Sequence, residues 1–471
     1  MIMKMSIKLF NTMKKKKEEF VPKQEGKVDM YVCGPTVYDY FHVGNARAFL
    51  IFDVVRRYLD YKGYQVTYVQ NITDIEDKMI NRANEDGITV AELAEKYTSE
   101  YFDDARAIGI KDADHHPKAT EHIAEIIEII QDLLDKGYAY RQGGDVYFDT
   151  AAFDDYGKLC RQDPEELVSG ARVAVDDRKK NPADFVLWKS KKEGEPAWDS
   201  PFGQGRPGWH IECSAMSMKY LDTPLDIHAG GSDLVFPHHE NEVAQSEAAT
   251  GQDFCKYWMH VGYLEIDNRK MSKSMGNFLT VRDFRQKYDP RVLRLFLMSA
   301  HYRSPLNFTD ELIEQAKSSL DRLDNFYNNL KFYLEKSREQ ELTDKEQDIM
   351  EYLKQARTEF EAAMDDDFNT ASALAVIFSL AKEINSYIGN GGENALVFKN
   401  TYDLLLEFDQ VMGLLPETDE ILPEEIEQKI QEREQARKQK DFQRADAIRD
   451  ELRDRGIILE DTPEGVRWKR T

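Results

Sequence analysis

Four cysteines in 471 residues are too few for a disulfide framework. That scarcity excludes the small cross-linked secreted classes and fits a reducing compartment. Long apolar runs are missing as well. The N-terminus has no stretch long enough for a membrane span or for the apolar part of a secretory leader. A cytoplasmic protein with no membrane contact is therefore expected. A basic surplus is also lacking. The 63 Lys and Arg stand against 87 Asp and Glu, a formal charge of −24. That balance is the reverse of what a nucleic-acid binder leads one to expect. No internal repeat is present.

What is present begins near the N-terminus. Val28 to Cys33 reads as a buried strand, and Gly34-Pro35-Thr36 breaks it. His42-Val43-Gly44-Asn45 follows and opens a helix whose apolar positions Ile51, Val55 and Leu59 recur at helical spacing. Val66 to Ile72 reads as the next strand. Strand, glycine-containing turn, helix and strand are the start of an α/β, doubly wound parallel sheet of the Rossmann-like kind. A helix N-terminus already attracts anions through its amides and dipole. His42 and Asn45 would add side-chain donors there, and Gly44 would let adenine or ribose come close to the backbone. Taken alone, the four residues read more plainly as a surface histidine near a turn.

Far downstream stands Lys270-Met271-Ser272-Lys273-Ser274, followed by Met275-Gly276-Asn277. Two ammonium groups three residues apart on a mobile loop suit a departing triphosphate. The plainer reading of a lone Lys-x-x-Lys is a solvated basic loop. The same half holds four candidate metal ligands: Cys33, Cys213, His238 and Glu242. Pro237 is placed as the first residue of a helix, which would set His238 and Glu242 four apart on one face. Two thiolates, an imidazole and a carboxylate suit Zn²⁺. By spacing alone, two small buried thiols and a helix-surface histidine remain the plainer reading.

Together, His42-Val43-Gly44-Asn45 and Lys270-Met271-Ser272-Lys273-Ser274 resemble the two signatures of class I aminoacyl-tRNA synthetases. Asn45 stands where many members carry a second His, and it keeps an N–H donor. The resemblance implies that His42 and Asn45 contact ATP phosphates and that Lys270 and Lys273 stabilise the departing pyrophosphate, Lys273 being the more critical. Tyr31 to Asp39, Trp209 to Met216 and His228 to Glu242 closely resemble the cysteinyl-tRNA synthetase family, along essentially the whole chain. That resemblance implies one zinc ion per chain on Cys33, Cys213, His238 and Glu242, binding the substrate thiolate. It places Gly34, Thr73, Trp209 and His228 around the cysteine, and Gly231 and Asp233 near the ribose and the α-amino group. His239, Glu240 and His210 are expected behind these or on the surface. The implied partners are tRNA(Cys), ATP with Mg²⁺, and L-cysteine, for a protein acting as a monomer.

Residues 1–80 and 206–285 are expected to form a split catalytic domain around an α/β insertion, 81–205. The insertion holds a strand at Asp145 to Asp149 and a loop from Lys189 to Gly208. Residues 286–335 would be a stem-contact region, 336–415 a helical bundle on the anticodon stem, and 424–471 a small mixed anticodon-recognition domain. The bundle shows in apolar stripes such as Leu312, Ala316, Leu320, Leu323, Tyr327, Leu330 and Leu334. Arg437, Lys438, Lys440, Arg444 and Trp468 are candidates for anticodon phosphates and bases, or for a plain solvated helix. The acidic excess, as at Asp365-Asp366-Asp367, would limit non-specific RNA binding. Two rivals stand beside this reading: a cysteine ligase acting on an amino-sugar, and a non-catalytic RNA-binding paralogue. The helical half argues against the first, and the intact motifs against the second.

Overall fold

The computed structural model describes residues 6–161, 178–270, 278–416, 424–455, 457–462 and 465–470. The chain divides into two compact units, Met1–Ala316 with Glu361–Leu374, and Lys317–Phe360 with Ala375–Thr471.

In the first unit a hairpin, β1 (Lys8–Asn11) and β2 (Lys16–Glu19), precedes the main sheet. The next strand, β3 (Lys27–Val32), buries Val28, Met30, Tyr31 and Val32. A strand buried on both faces belongs inside a parallel sheet. It pairs with β4 (Gln65–Gln70) on one side. Between them runs α1 (Val43–Tyr61), which is buried around much of its circumference. After β4 come α2 (Asp77–Asp86) and α3 (Val90–Ala107), the latter started by a reciprocal Thr89–Glu92 cap.

The insertion follows with α4 (Ile123–Asp135) and an antiparallel sheet of β5 (Ala139–Gln142), β6 (Asp145–Phe148), β7 (Phe185–Ser190) and β8 (Gly205–Pro207). The Lys189 to Gly208 stretch is thus not all loop: it holds the end of β7 and all of β8. Its Gly and Pro are tolerated because β8 is an edge strand. Ile126, Ile130, Val146, Phe148 and Trp188 of the insertion share one apolar cluster with Ile211 and Ala244. Those two lie on α5 (Trp209–Tyr220) and α6 (Glu240–Thr250).

The main sheet is completed by β9 (Leu225–Gly231) and β10 (Cys255–Val261), in the order β10–β9–β3–β4, all parallel. The chain fills one side of β3 and then returns to fill the other. The strand order therefore reverses between β3 and β9, and a crevice opens at their carboxyl ends. A small sheet of β11 (Leu264–Ile266), β12 (Arg269–Lys270) and β13 (Leu306–Phe308) adjoins α7 (Val281–Arg285) and α8 (Pro290–Met298) in sequence.

Asp365, Asp366 and Asp367 are not free surface charge. Asp365 accepts from Tyr58 at 2.7 Å and pairs with Lys62, and Asp366 pairs with Lys17. Asp367, fully buried with φ +66°, accepts from the Phe10 amide, the Tyr302 hydroxyl and Arg303. The triplet clamps segments of the first unit, a use that composition does not reveal.

The second unit takes most of α9 (Asp310–Lys336) and α10 (Asp344–Asp365), then α11 (Thr370–Gly389) and α12 (Ala395–Met412). Asn369 caps α11 through the Ser372 amide, as its side chain suggests. Leu312 is 36 % exposed and Ile313 is buried in its place, since either residue sits one turn before Ala316. A helical hairpin, α13 (Glu424–Lys438) and α14 (Phe442–Asp454), packs Ile426, Ile448 and Leu452 with Ile457 and Leu459 of β14 (Ile457–Thr462). Strand β15 (Gly465–Arg470) pairs antiparallel with β14.

Candidate active site and metal centre

From the carboxyl end of β3 a loop, residues 33–42, leads to α1 and ends at His42. Its backbone is extended and its Nδ1 accepts the Asn45 amide at 3.2 Å, so this side chain caps the helix that follows. Described residues on either side of the second signature come to the same place. Lys270 enters through the backbone of β12, while Lys273 lies outside the described residues. Just beyond, the Phe278 ring meets the His42 ring at 5.3 Å, and the Val43 amide donates to Leu279 O at 3.1 Å. The crevice here is lined by Cys33, Gly34, His42, Asn45, Lys78, Trp209, Gly231 and Asp233, among others.

Behind its Cys33 end lies a buried polar group. Ligand atoms of Cys33, Cys213, His238 and Glu242 all lie within 4.8 Å of one another. Cys33 directly follows β3, Cys213 lies on α5 and Glu242 on α6. His238 lies in a wider helical turn, Val235–His239, that runs directly into α6. Phe236 is extended (φ −138°), a conformation favoured before proline, and the chain is helical from Pro237 into α6 at Glu240. Pro237 is thus the first helical residue after that kink, and His238 Nε2 comes to 3.0 Å from Glu242 Oε1, four residues on. The Trp209 ring stacks on His238 at 4.2 Å, and His210 Nδ1 meets His238 Nδ1 at 2.9 Å. Both fix the imidazole.

A second set, Cys33, His228, His239 and Glu242, satisfies the same distance. It shares one thiol and the carboxylate with the first. His228 Nε2 lies 3.2 Å from Glu242 Oε2, yet that oxygen accepts no hydrogen bond. A buried carboxylate oxygen left open among thiols and imidazoles fits a cation. The first set brings two sulfurs and is the softer.

The electrostatics agree with that choice. Burial pushes the Cys33 thiol well up. Cys213, hydrogen-bonded to Cys33, is held down to about 6 despite burial. Burial alone would lower His238, but Glu242 and Cys213 carry it up to about 10. Burial would raise Glu242, and His228 and His238 outweigh it, so the carboxylate stays ionised. A thiolate and a carboxylate are thus at hand before any cation arrives.

Beside this group, a directed chain of hydrogen bonds runs inward from Gly34, which lines the crevice. The Gly34 amide donates to Asn71 Oδ1 (2.8 Å), Asn71 Nδ2 to Thr73 Oγ1 (3.2 Å), and Thr73 Oγ1 to Glu212 Oε2 (3.2 Å). A Cβ at position 34 would fall 1.8 Å from Asn71 O, so only glycine fits.

Known proteins resemble this chain from end to end. Residues 19–318 match the family described as tRNA synthetases class I (C) catalytic domain, 359–416 the DALR domain, and 419–468 the cysteinyl-tRNA ligase anticodon binding domain. A cysteine–tRNA ligase of Clostridioides difficile (strain 630) is 56% identical over 468 residues, spanning 98% of this chain and 100% of that one. The chain belongs to the cysteine–tRNA ligase family. A second member, from Symbiobacterium thermophilum, is 57% identical over 471 residues, covering 99% of this chain and 100% of its own. Solved structures share the fold at lower identity. Mycobacterium tuberculosis methionyl-tRNA synthetase with methionyl-adenylate has a TM-score of 0.61 at 15% identity, over 82% of this chain and 90% of that one. A leucyl-tRNA synthetase complex from Agrobacterium radiobacter K84 has a TM-score of 0.62 at 12% identity, over 84% and 85%.

In this member of the cysteine–tRNA ligase family, Gly34, Trp209, Gly231 and Asp233 line the crevice with His42 and Asn45. Thr73 and His228 lie deeper, both buried, against Glu212 and Glu242 respectively. Sequence reasoning missed Asn71, Glu212 and Lys78. Asn71 and Thr73 follow β4 at alternate positions, which was the available signal. Glu240, His239 and His210 turn inward: the Glu240 carboxylate takes the amides of Gly157, Leu159 and Cys160. No described helix is long and apolar enough to cross a membrane.

Proposed function

We propose that this chain joins L-cysteine to tRNA(Cys) in two steps, using ATP with Mg²⁺, and that Cys33, Cys213, His238 and Glu242 hold one zinc ion. The family supports the reaction: cysteine and ATP give cysteinyl-adenylate and pyrophosphate, and the tRNA 3′ end then takes the cysteine and releases AMP. The observation that carries the residue-level reading is the buried group of two thiols, an imidazole and a carboxylate at the closed end of the crevice.

When bound there, zinc supplies a soft Lewis acid for a thiolate, which serine's hard hydroxyl cannot match. The protein residues do the rest. The Gly34 to Glu212 chain fixes the crevice wall at Gly34, and Trp209 covers His238. Asp233 is a carboxylate for the substrate's ammonium group, and Gly231 leaves room for the ribose. His42 and Asn45 face the phosphates at the start of α1, and Lys270 and Lys273 neutralise the pyrophosphate. Rate comes mainly from positioning and charge. No editing domain is required on this reading. We place the enzyme in the cytoplasm, as a monomer.

The deciding experiment is ATP–pyrophosphate exchange without tRNA on zinc-assayed protein, with serine run beside cysteine. Exchange with cysteine alone is expected. No exchange from folded, zinc-loaded protein would give the lead to a non-catalytic paralogue.

The second unit offers one aromatic that sequence reading passed over. Phe442, at the start of α14, is 60% exposed, and exposed Lys440 and Arg444 flank it. Such a ring suits stacking on an unpaired base, worth about 1–3 kcal/mol. Phe442→Ala should raise the KM for tRNA and leave pyrophosphate exchange unchanged, as aminoacylation kinetics would read.

A further inference from the structure

We propose that Arg47 is a positioning residue that fastens the strand pair entering the second signature to the helix carrying the first. The inference rests on Lys270 and Lys273 acting on ATP phosphates.

Arg47 sits on α1, two residues beyond Asn45, and is fully buried. Its hydrogen bonds run to four backbone carbonyls. Nη1 donates to Gly262 O and Tyr263 O, both at 2.9 Å; Nη2 donates to Ser304 O at 2.7 Å and His301 O at 3.3 Å. Two separate segments are therefore gripped by one planar fork. Residues 262–263 lead directly into β11. That strand turns back as β12, with Glu265 opposite Lys270, the first signature lysine.

The other segment is a firm footing. Tyr302 and Arg303 are held from their far side by Asp367. The Gly262 amide donates to Tyr302 O at 2.8 Å, and Leu306 N to Tyr263 O at 3.0 Å. The downstream side of the signature is tied to the same helix start. Val43 N reaches Leu279 O, and Val281 N reaches Phe41 O at 2.8 Å. Entry and exit of the lysine-bearing segment are thus both fixed to α1, through Arg47 and through the residues around His42. Adenylate formation needs both signatures on one nucleotide, and displacement of a reacting group by about 1 Å can cost on the order of 100-fold.

Gly262 gives an independent way to disturb the same junction. A Cβ there would come 2.7 Å from Arg303 O and 2.8 Å from Ser304 O, wedging apart what Arg47 draws together.

The test uses the full chain with Arg47→Lys and, separately, Gly262→Ala. Active sites are counted from the burst of adenylate formation, and cysteine-dependent pyrophosphate exchange is measured with melting temperature and metal content. Lysine keeps the charge but has only one nitrogen to span two segments. Both variants should lose on the order of 10–100-fold in kcat per active site. The KM for ATP should rise, while the KM for cysteine and the metal content stay at wild-type values. If both variants melt earlier but keep the wild-type kcat per active site, Arg47 merely stabilises the fold and the inference falls. A cysteine KM that rises in step with that for ATP would overturn it too. Lys273→Ala separates the premises. If that variant is inactive while the other two turn over normally, only the Arg47 inference is lost. If it exchanges normally, the role given to the lysines fails, and this inference with it.

Discussion

Replacing Cys213 by Ser should strip the metal from the protein and cut its preference for cysteine over serine to what size alone can give. A pocket judging one small group provides about 1–3 kcal/mol, or roughly 10–200-fold. Any larger discrimination has to come from the sulfur–metal bond. The same substitution decides between the two overlapping ligand sets. Cys213 and His238 belong only to the set with two thiols, and His228 and His239 only to the other. Metal should therefore be lost on dialysis from Cys213→Ser and His238→Ala and kept by His239→Ala. Retained metal in Cys213→Ser would point to the second set. Metal loss with serine still rejected as before would end the argument that the ion provides selectivity.

The pH dependence of loading follows from the same group. Burial keeps the Cys33 thiol protonated well above its ordinary range, whereas Cys213 titrates near 6. Loading must expel the Cys33 proton and the second proton of His238, which is carried up to about 10, so metal affinity should rise with pH across the neutral range. Titration with a competing chelator at several pH values measures that slope. A flat profile would mean that neither Cys33 nor His238 is a ligand.

Much of this centre was readable from residue types, and the rest was not, for identifiable reasons. The sheet strands at Val28 and Val66 announce themselves because both are short runs rich in Val and Tyr that start soon after a glycine, interrupted only by Asp29 in the first and by Thr67, Gln70 and Asn71 in the second. The signatures lie close to glycine breaks that mark where the backbone turns toward a ligand. His238 and Glu242 come together four residues apart along one helical stretch, as their spacing suggests. Pro237 suits a first helical position, and the extended Phe236 before it marks the kink after which the chain is helical, through a wider turn into α6. Glu240 and His239 were unreadable because their partners lie elsewhere, in the 157–160 segment and at His260. Asp365 to Asp367 misled for the opposite reason. A run of like charge looks solvated until its separate counter-groups are known: Lys62, Lys17 and Arg303. Arg47 had no sequence signal, since its partners are main-chain oxygens.

Asp53→Asn should be among the most destabilising changes of a single atom type in the catalytic unit, at about 3–5 kcal/mol. Asp53 and Arg294 are both essentially inaccessible to water, 3.0 Å apart, on α1 and α8. Asp53 also accepts Arg57 at 2.8 Å and the Lys111 amide at 3.1 Å. Arg294 has further support from Gly109 O at 2.9 Å and Ile108 O at 3.3 Å. Those carbonyls offer dipoles but no neutralising charge. Removing the carboxylate therefore leaves a buried guanidinium with partial compensation, against a typical total stability of about 5–15 kcal/mol. Replacing both partners by apolar residues of similar size should cost far less, because the desolvation penalty of the pair disappears with the pair. Urea unfolding of Asp53→Asn, Arg294→Met and the double variant closes the cycle. A loss below about 1 kcal/mol in Asp53→Asn would show that the two carbonyls suffice for Arg294. A double variant as unstable as the worse single one would mean that the site matters for its shape. In either case the Arg47 reading gains a comparison, since that residue already lives on carbonyls alone.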